Sequence, residues 1–435
     1  MKKAFVGGYV ISGEENSVAL KADILTEDDK IIAIGDIDTN GAEIINCDGK
    51  YIMPGLINLH AHLFGTGKPS SVLGGGSLQK AVVKVAKSPV GEKILDVLVA
   101  SAAKAELYSG VTTLRTSGDF SGSDYRLRDK IKEGKVEGPR MFCPGPAITV
   151  PTGHGDGTFA DTAVEPKDFK RLVEQRHIEG ADYIKICVTG GVMDAKEKGS
   201  PGEVKMNYEQ TKAVCDKAHE LGMKVASHTE SDDGMDVAIR GGVDTLEHGG
   251  DFSDECAQML RDRKGAVVAT FSPAVALNLI SPEVTKLNEM CVYNSGIVAK
   301  GMEKGCTKAM SSDILVGLGT DASCPFAAQY NMWREVWLFS KYMNVSTAKA
   351  IYTATLSAAK ILGIDDITGS LEIGKCADMM ILPANPLDNL KAMKDPFAVV
   401  TQGRVIYPKL KKNDFVEGEL EKMFALIESG KMRNE

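Results

Sequence analysis

The chain runs to 435 residues, enough for one large domain and a smaller one. Its 43% hydrophobic and 25% charged residues are ordinary for a globular protein, and 51 basic against 59 acidic side chains (formal net charge −8) argue against a nucleic-acid or anionic-membrane partner. No stretch is long and apolar enough to span a bilayer, and nine scattered cysteines without a CxxC pair fit reduced thiols, so a cytoplasmic protein is expected.

In chain order, the first residues are faintly leader-like, but Glu14 and Glu15 interrupt any apolar core. Residues 4–11, 17–20, 30–37 and 42–46 read as short strands separated by Gly, Asn and Asp turns, too thin a sheet to hold a core alone. The same texture returns late, as a strand within 369–382 and a hairpin of 398–401 and 404–407 across Gln402-Gly403. The economical expectation is one small β-sandwich domain built from 1–53 and 369–410, with the middle of the chain inserted into it.

That middle stretch, 54–368, alternates apolar strands with amphipathic helices. Strands are expected at 57–62, 112–116, 140–143, 183–187, 225–228, 245–247, 267–270 and 315–317. Helices are expected at 92–109, 166–179, 208–221, 234–241, 253–263 and 292–304. Eight strands in that rhythm suit an α/β fold of the (β/α)8, TIM-like barrel type, whose active site lies at the C-terminal ends of the strands. A doubly wound sheet would want a phosphate-binding glycine loop directly after a strand, and Gly74-Gly75-Gly76 does not follow one.

The expected strand ends carry the chemistry. The first finishes in His60-Ala-His62, and because strand side chains alternate, both imidazoles point the same way as a clamp for a metal ion. The fourth strand offers Lys185 among apolar neighbours, the fifth ends in His228, the sixth in His248, and Asp321 follows the eighth. Each alone has a plain structural use: a hydrogen-bonded core histidine, an ion-paired lysine, a helix-capping aspartate. Six such groups at one end of one barrel, including four of the chain's seven histidines, are hard to attribute to chance.

These residues and their surroundings resemble the amidohydrolase superfamily, in its imidazolonepropionase-like and prolidase-like (Xaa-Pro or Xaa-Arg) dipeptidase branch. The resemblance begins with Pro54-Gly-Leu-Ile-Asn-Leu-His-Ala-His62 and Gly110-Val-Thr-Thr-Leu-Arg115. It continues through Ala181-Asp-Tyr-Ile-Lys185, Thr189-Gly-Gly-Val-Met193, the two histidine strands and Gly319-Thr-Asp321. It closes with Ala354-Thr-Leu-Ser-Ala-Ala-Lys-Ile-Leu-Gly363 and Gly374-Lys-Cys-Ala-Asp378. One departure is Asn58, where the family usually has Asp.

The resemblance implies a metal-dependent hydrolase of C–N bonds with two divalent ions, usually zinc. His60, His62 and Asp321 would hold the first ion, His228 and His248 the second, and Lys185, carboxylated by carbon dioxide, would bridge them. An apolar strand favours the neutral amine that captures carbon dioxide. Asn58, on the face of His60 and His62, could orient them. A hydroxide shared by the ions would attack the carbonyl, with Asp321 as general base and then acid. The implied substrate is a small molecule, a dipeptide or N-acyl amino acid. A cyclic amide is the alternative. A deaminase is disfavoured by Lys185, and a catalytically silent scaffold by the complete ligand set.

Loops after the strands would choose the substrate. The Gly- and Ser-rich loop 63–79 is fit for a lid. His154 lies in a glycine loop whose counterpart in the dipeptidase branch borders the substrate. Arg115 would pair with a carboxylate of the site or of the substrate. Glu230, two residues after His228, would face the same cavity and favour a cationic group on the substrate. Cys187 also faces inward but reads as an apolar filler rather than a nucleophile. His177 and His219 sit on expected helices and carry no role. The segment 411–435 reads as an amphipathic helix with Phe415, Leu420, Phe424 and Ile427 on one stripe. Its use is packing against the chain's own body or, alternatively, a contact within a homo-oligomer.

Overall fold

Eight parallel strands line the middle of the chain, and nearly all their residues are buried because helices or barrel interior cover both faces. In the computed structural model, which describes residues 1–70 and 82–430, they are Leu56–Ala61, Val111–Thr116, Arg140–Phe142, Ile184–Cys187, Val225–Thr229, Thr245–His248, Ala266–Ala269 and Leu315–Leu318. Each expected barrel strand is present. Neighbours pair in parallel and in chain order, with Cys187 opposite His228 and Thr229 opposite His248. The ring closes beyond the last strand, where Asp321 N–H donates to His60 O (2.8 Å) and His62 N–H to Ala322 O (3.0 Å). This closure sets Asp321 beside the two histidines of the first strand.

The third strand differs from expectation. Pro144-Gly145-Pro146 interrupts it, because proline has no N–H for the ladder and Gly145 adopts a φ of +66° where a Cβ would strike the Tyr125 hydroxyl. Arg140–Phe142 pairs with the second strand, and the chain resumes as Ala147–Thr149 to pair with the fourth.

Helices Pro89–Tyr108, Pro166–Glu179, Tyr208–Glu220, Asp232–Gly241, Asp254–Asp262 and Glu289–Ser311 stand at the six expected places, the last running well past its expected end at residue 304. Helix Phe271–Leu279 was not foreseen: all but one of its nine residues are buried, so it shows no amphipathic period. Among the described residues, no helix is long and apolar enough to cross a membrane. Of the expected lid, 71–79 lies outside the described residues, as do Gly74-Gly75-Gly76 and 431–435 at the C-terminus.

Strands from both ends of the chain lie together. The six-stranded sheet runs Arg404–Ile406, Ala398–Thr401, Met379–Leu382, Tyr51–Pro54, Tyr9–Val10, Leu20–Lys21. A four-stranded sheet runs Lys30–Gly35, Asp23–Glu27, Lys2–Val6, Glu43–Asn46. Phe5, Ile24, Ile31, Ile52, Met379 and Ile381 form their shared core. The run expected as one strand, 4–11, is split at Gly7 (φ +82°), and 17–20 is a Ser17-anchored turn leading into strand Leu20–Lys21.

Helix Asp414–Glu428 starts at Asn413, whose side chain accepts from the N–H groups of Phe415 and Val416. It buries Val416, Leu420, Met423, Phe424 and Ile427, with Phe424 against Trp337 at 4.2 Å. Phe415 is half exposed rather than on this stripe, because five residues before Leu420 is nearly half a turn off its face. The fully buried Arg334 grips Glu417 through two bonds of 2.8 and 2.9 Å. The chain's own body therefore fills the helix's apolar stripe. Phe424→Ala should cost about 3–5 kcal/mol in chemical denaturation, whereas Leu426→Ala, at a position 40% exposed, should cost far less.

Candidate metal centre

Strand alternation turns Asn58, His60 and His62 to one side of the first strand, and the ring closure brings Asp321 to them. Asp321 Oδ1 lies 3.3 Å from His60 Nε2 and 3.4 Å from His62 Nε2. His248 sits 4.7 Å from His60 and 4.5 Å from His228, ring centre to ring centre. Two groups of donor atoms each fall within 4.8 Å of one another: His60, His248 and Asp321, and His228, Glu230 and His248. His248 and Asp321 hold φ values of +68° and +48°, a left-handed backbone that costs non-glycine residues energy and recurs at functional sites.

Three of the four imidazoles are aimed by their second nitrogen. His62 Nδ1 meets Gly118 O at 2.7 Å and His228 Nε2 meets Gly190 O at 3.2 Å. A carbonyl only accepts, so those nitrogens carry the protons and leave His62 Nε2 and His228 Nδ1 with lone pairs. His248 Nδ1 is held by Thr270 Oγ1 at 2.7 Å. Burial pushes His60 and His62 down to about 4, against the pull of Asp321, and drives His228 and His248 well below the usual range. They are neutral imidazoles, the form that binds metal. Burial pushes the Asp321 carboxyl up, but the hydrogen bond with His60 opposes it, and the carboxyl is held well below the usual range. Four imidazoles and a carboxylate converging on one cavity fit a divalent ion of the zinc kind.

Beneath them lies a residue the sequence reading missed. Glu247 is fully buried; its Oε1 accepts from Arg115 Nη2 at 2.7 Å and its Oε2 contacts Lys185 Nζ. His60 Nδ1 is 2.8 Å from Oε2, yet without hydrogen-bond alignment. Alternation from Thr245 already aims Glu247 inward. The left-handed turn at His248 then lets the next side chain enter the cavity too. Burial, with help from Arg115, pushes the Lys185 amine down to about 7, while Cys187 and Asp321 pull the other way.

Of the two partners expected for Arg115, a carboxylate of the site or of the substrate, the structure supplies the first. Its guanidinium is spent on Leu59 O (2.7 Å), Thr245 Oγ1 (3.3 Å) and Glu247, so it serves a carboxylate of the site. Asn58 ties the barrel ends together, accepting from Thr320 N–H (3.0 Å) and His60 N–H (3.3 Å) and donating to Thr320 Oγ1 (2.9 Å).

His154 lines the cavity, stacked 4.1 Å from His228, with Nδ1 2.5 Å from Asp194 Oδ2. Burial pushes it down, but Asp194 and Glu230 outweigh that and raise it. Glu230 reaches the cavity as expected. Burial pushes the Cys187 thiol up to about 12, which leaves no thiolate for nucleophilic attack. His177 and His219 are exposed, the latter bonded to Asp244.

Comparison with known proteins places the chain. Residues 51–406 match the model of the amidohydrolase family. The chain belongs to the amidohydrolase family. Like the family in general, this amidohydrolase has the makings of a metal site. An ochratoxinase of Aspergillus niger is 24% identical over 67% of this chain, a match that spans 64% of the ochratoxinase's own length. An imidazolonepropionase of Fusobacterium nucleatum subsp. nucleatum is 24% identical over 83% of this chain and 84% of the relative. Among solved structures, a candidate prolidase from Bifidobacterium longum aligns with a TM-score of 0.84 and 33% identity, covering 97% of this chain and 99% of that one. A Xaa-Pro dipeptidase with bound methionine aligns with a TM-score of 0.79 and 27% identity, covering 94% and 100%.

In this amidohydrolase the Glu247 charge is the most exposed to mutation, because removing it strands Arg115 and Lys185 in the barrel. Glu247→Gln should lower unfolding stability by about 3–5 kcal/mol. Glu255→Gln, which breaks a surface pair with Arg240, should cost far less in the same denaturant titration.

Proposed function

We propose that this amidohydrolase cleaves the amide bond of a dipeptide or N-acyl amino acid at a centre of two divalent ions, zinc being the ion its donors suit best. The observation that carries the reading is the convergence of four neutral histidines, Lys185 and Asp321 on one cavity. His60, His62 and Asp321 would hold one ion, His228 and His248 the other, and Lys185, as the carbamate formed with carbon dioxide, would bridge them. Such ions bring the pKa of a water toward neutrality and polarise a carbonyl.

The chain's own residues do the rest. Asp321, held as a carboxylate by the imidazoles around it, takes a proton from the attacking water and passes it to the departing nitrogen. Phe159, Val192, Met193, Leu277 and Val298 give the cavity apolar walls that exclude water and suit an apolar acyl or side-chain group. Apart from Lys185 and the four ligand histidines, His154 is the basic group among the described residues lining the cavity, so it is the partner for a substrate carboxylate.

A cyclic amide is the second reading, favoured by the imidazolonepropionase relatives. A screen of dipeptides and N-acyl amino acids with added zinc, read by amine release, should find turnover; turnover of a cyclic amide alone would favour the second reading. Asp321→Asn should keep the fold and lose activity by about 10²–10⁴-fold. Near-normal turnover in that variant would contradict its role. His154→Ala should raise KM for carboxylate-bearing substrates more than it lowers kcat.

A further inference from the structure

The ligand set above leaves one carboxylate of the cavity unused. We propose that Glu230 is itself a metal ligand, completing with His228 and His248 a two-imidazole, one-carboxylate site that can hold a divalent ion without the Lys185 bridge. This rests on the metal-centre reading of the preceding subsection.

The geometry argues for it. One oxygen of Glu230 and one ring nitrogen each of His228 and His248 lie within 4.8 Å of one another. Ligand atoms bound at about 2.0–2.2 Å to a common ion can be at most about 4.4 Å apart, so only a few tenths of an ångström of closure are needed. Two imidazoles with a carboxylate are an established donor set for zinc and for other divalent ions.

Glu230 is also held for such a role by its own backbone. Its N–H donates to Thr189 Oγ1 at 3.0 Å, and its Oε2 accepts from Val192 N–H at 2.9 Å. Gly202 packs against its carbonyl, where a Cβ would come within 2.5 Å of Glu230 C and O. Oε1 has no hydrogen bond among the described residues, leaving an oriented carboxylate with a free lone-pair edge.

A cationic group of the substrate is the competing partner for Glu230. It would have to sit beside the dication held by His228 and His248. Two unit charges 4 Å apart repel by about 4 kcal/mol in a partly screened site, and a dication doubles that. The ion is the better occupant.

Metal content after dialysis against a limiting chelator, and the visible absorption of the Co²⁺-loaded protein, test the assignment. Wild-type protein should hold two ions per chain. Lys185→Ala should retain one, with its Co²⁺ absorption. Glu230→Gln should weaken one ion by at least roughly tenfold, and Glu230→Asp, which keeps a carboxylate should the amide variant fold poorly, should weaken it less. Two ions bound to Glu230→Gln with wild-type affinity would overturn the assignment while leaving the two-metal reading intact. So would loss of activity on cationic substrates alone, with both ions retained. A wild-type protein that binds no metal would overturn both.

Discussion

A fully buried carboxylate must have partners, and the need of Glu247 for them organises the floor of the site. Arg115 reaches it from the second barrel strand, Lys185 from the fourth, and the edge of His60 from the first. Arg115 is itself pinned to Leu59 O and Thr245 Oγ1, so one charge cluster crosses four strands of the barrel. Such a network is weak evidence for stability, because all its charges are desolvated. Its value here is positional: it fixes where Lys185 and His60 stand relative to each other.

Above that floor, burial and acceptors act together. Low dielectric strips the protons from the imidazoles, while Gly118 O, Gly190 O and Thr270 Oγ1 decide which nitrogen of each ring faces the cavity. Asn58, in place of the family's usual Asp, has a local reason. Its Nδ2 lies 3.3 Å from both oxygens of the buried Glu106, whose carboxyl burial pushes up to about 8. An aspartate at 58 would set two buried acids against each other there. The amide instead donates to Glu106 and Thr320 and still accepts from the backbone that carries His60.

Most of this is legible in the sequence because barrel strands are short apolar runs whose functional side chains collect at one end. His60, His62, Lys185, His228, His248 and Asp321 all announce themselves in that way. Glu247 does not, because a neighbouring histidine draws the attention, although alternation from Thr245 puts it inside. Arg115 is visible as a strand-end cation, but only the folded barrel reveals which carboxylate it serves. The break in the third strand is written in Pro144-Gly145-Pro146. Helix Phe271–Leu279 is hidden by its own burial, since a helix covered on every side has no apolar stripe to read. Substrate choice is the least legible. It depends on loops such as the one that stacks His154 on His228, whose geometry no local pattern encodes.

The chemistry proposed for this cavity requires a pair of ions within this constellation. Crystals grown with zinc and bicarbonate, measured at the zinc absorption edge, test it most directly. Two anomalous peaks are expected, one among His60, His62 and Asp321 and one among His228, His248 and Glu230, with carbamate density on Lys185. An empty cavity, or zinc bound only elsewhere on the protein, would contradict it.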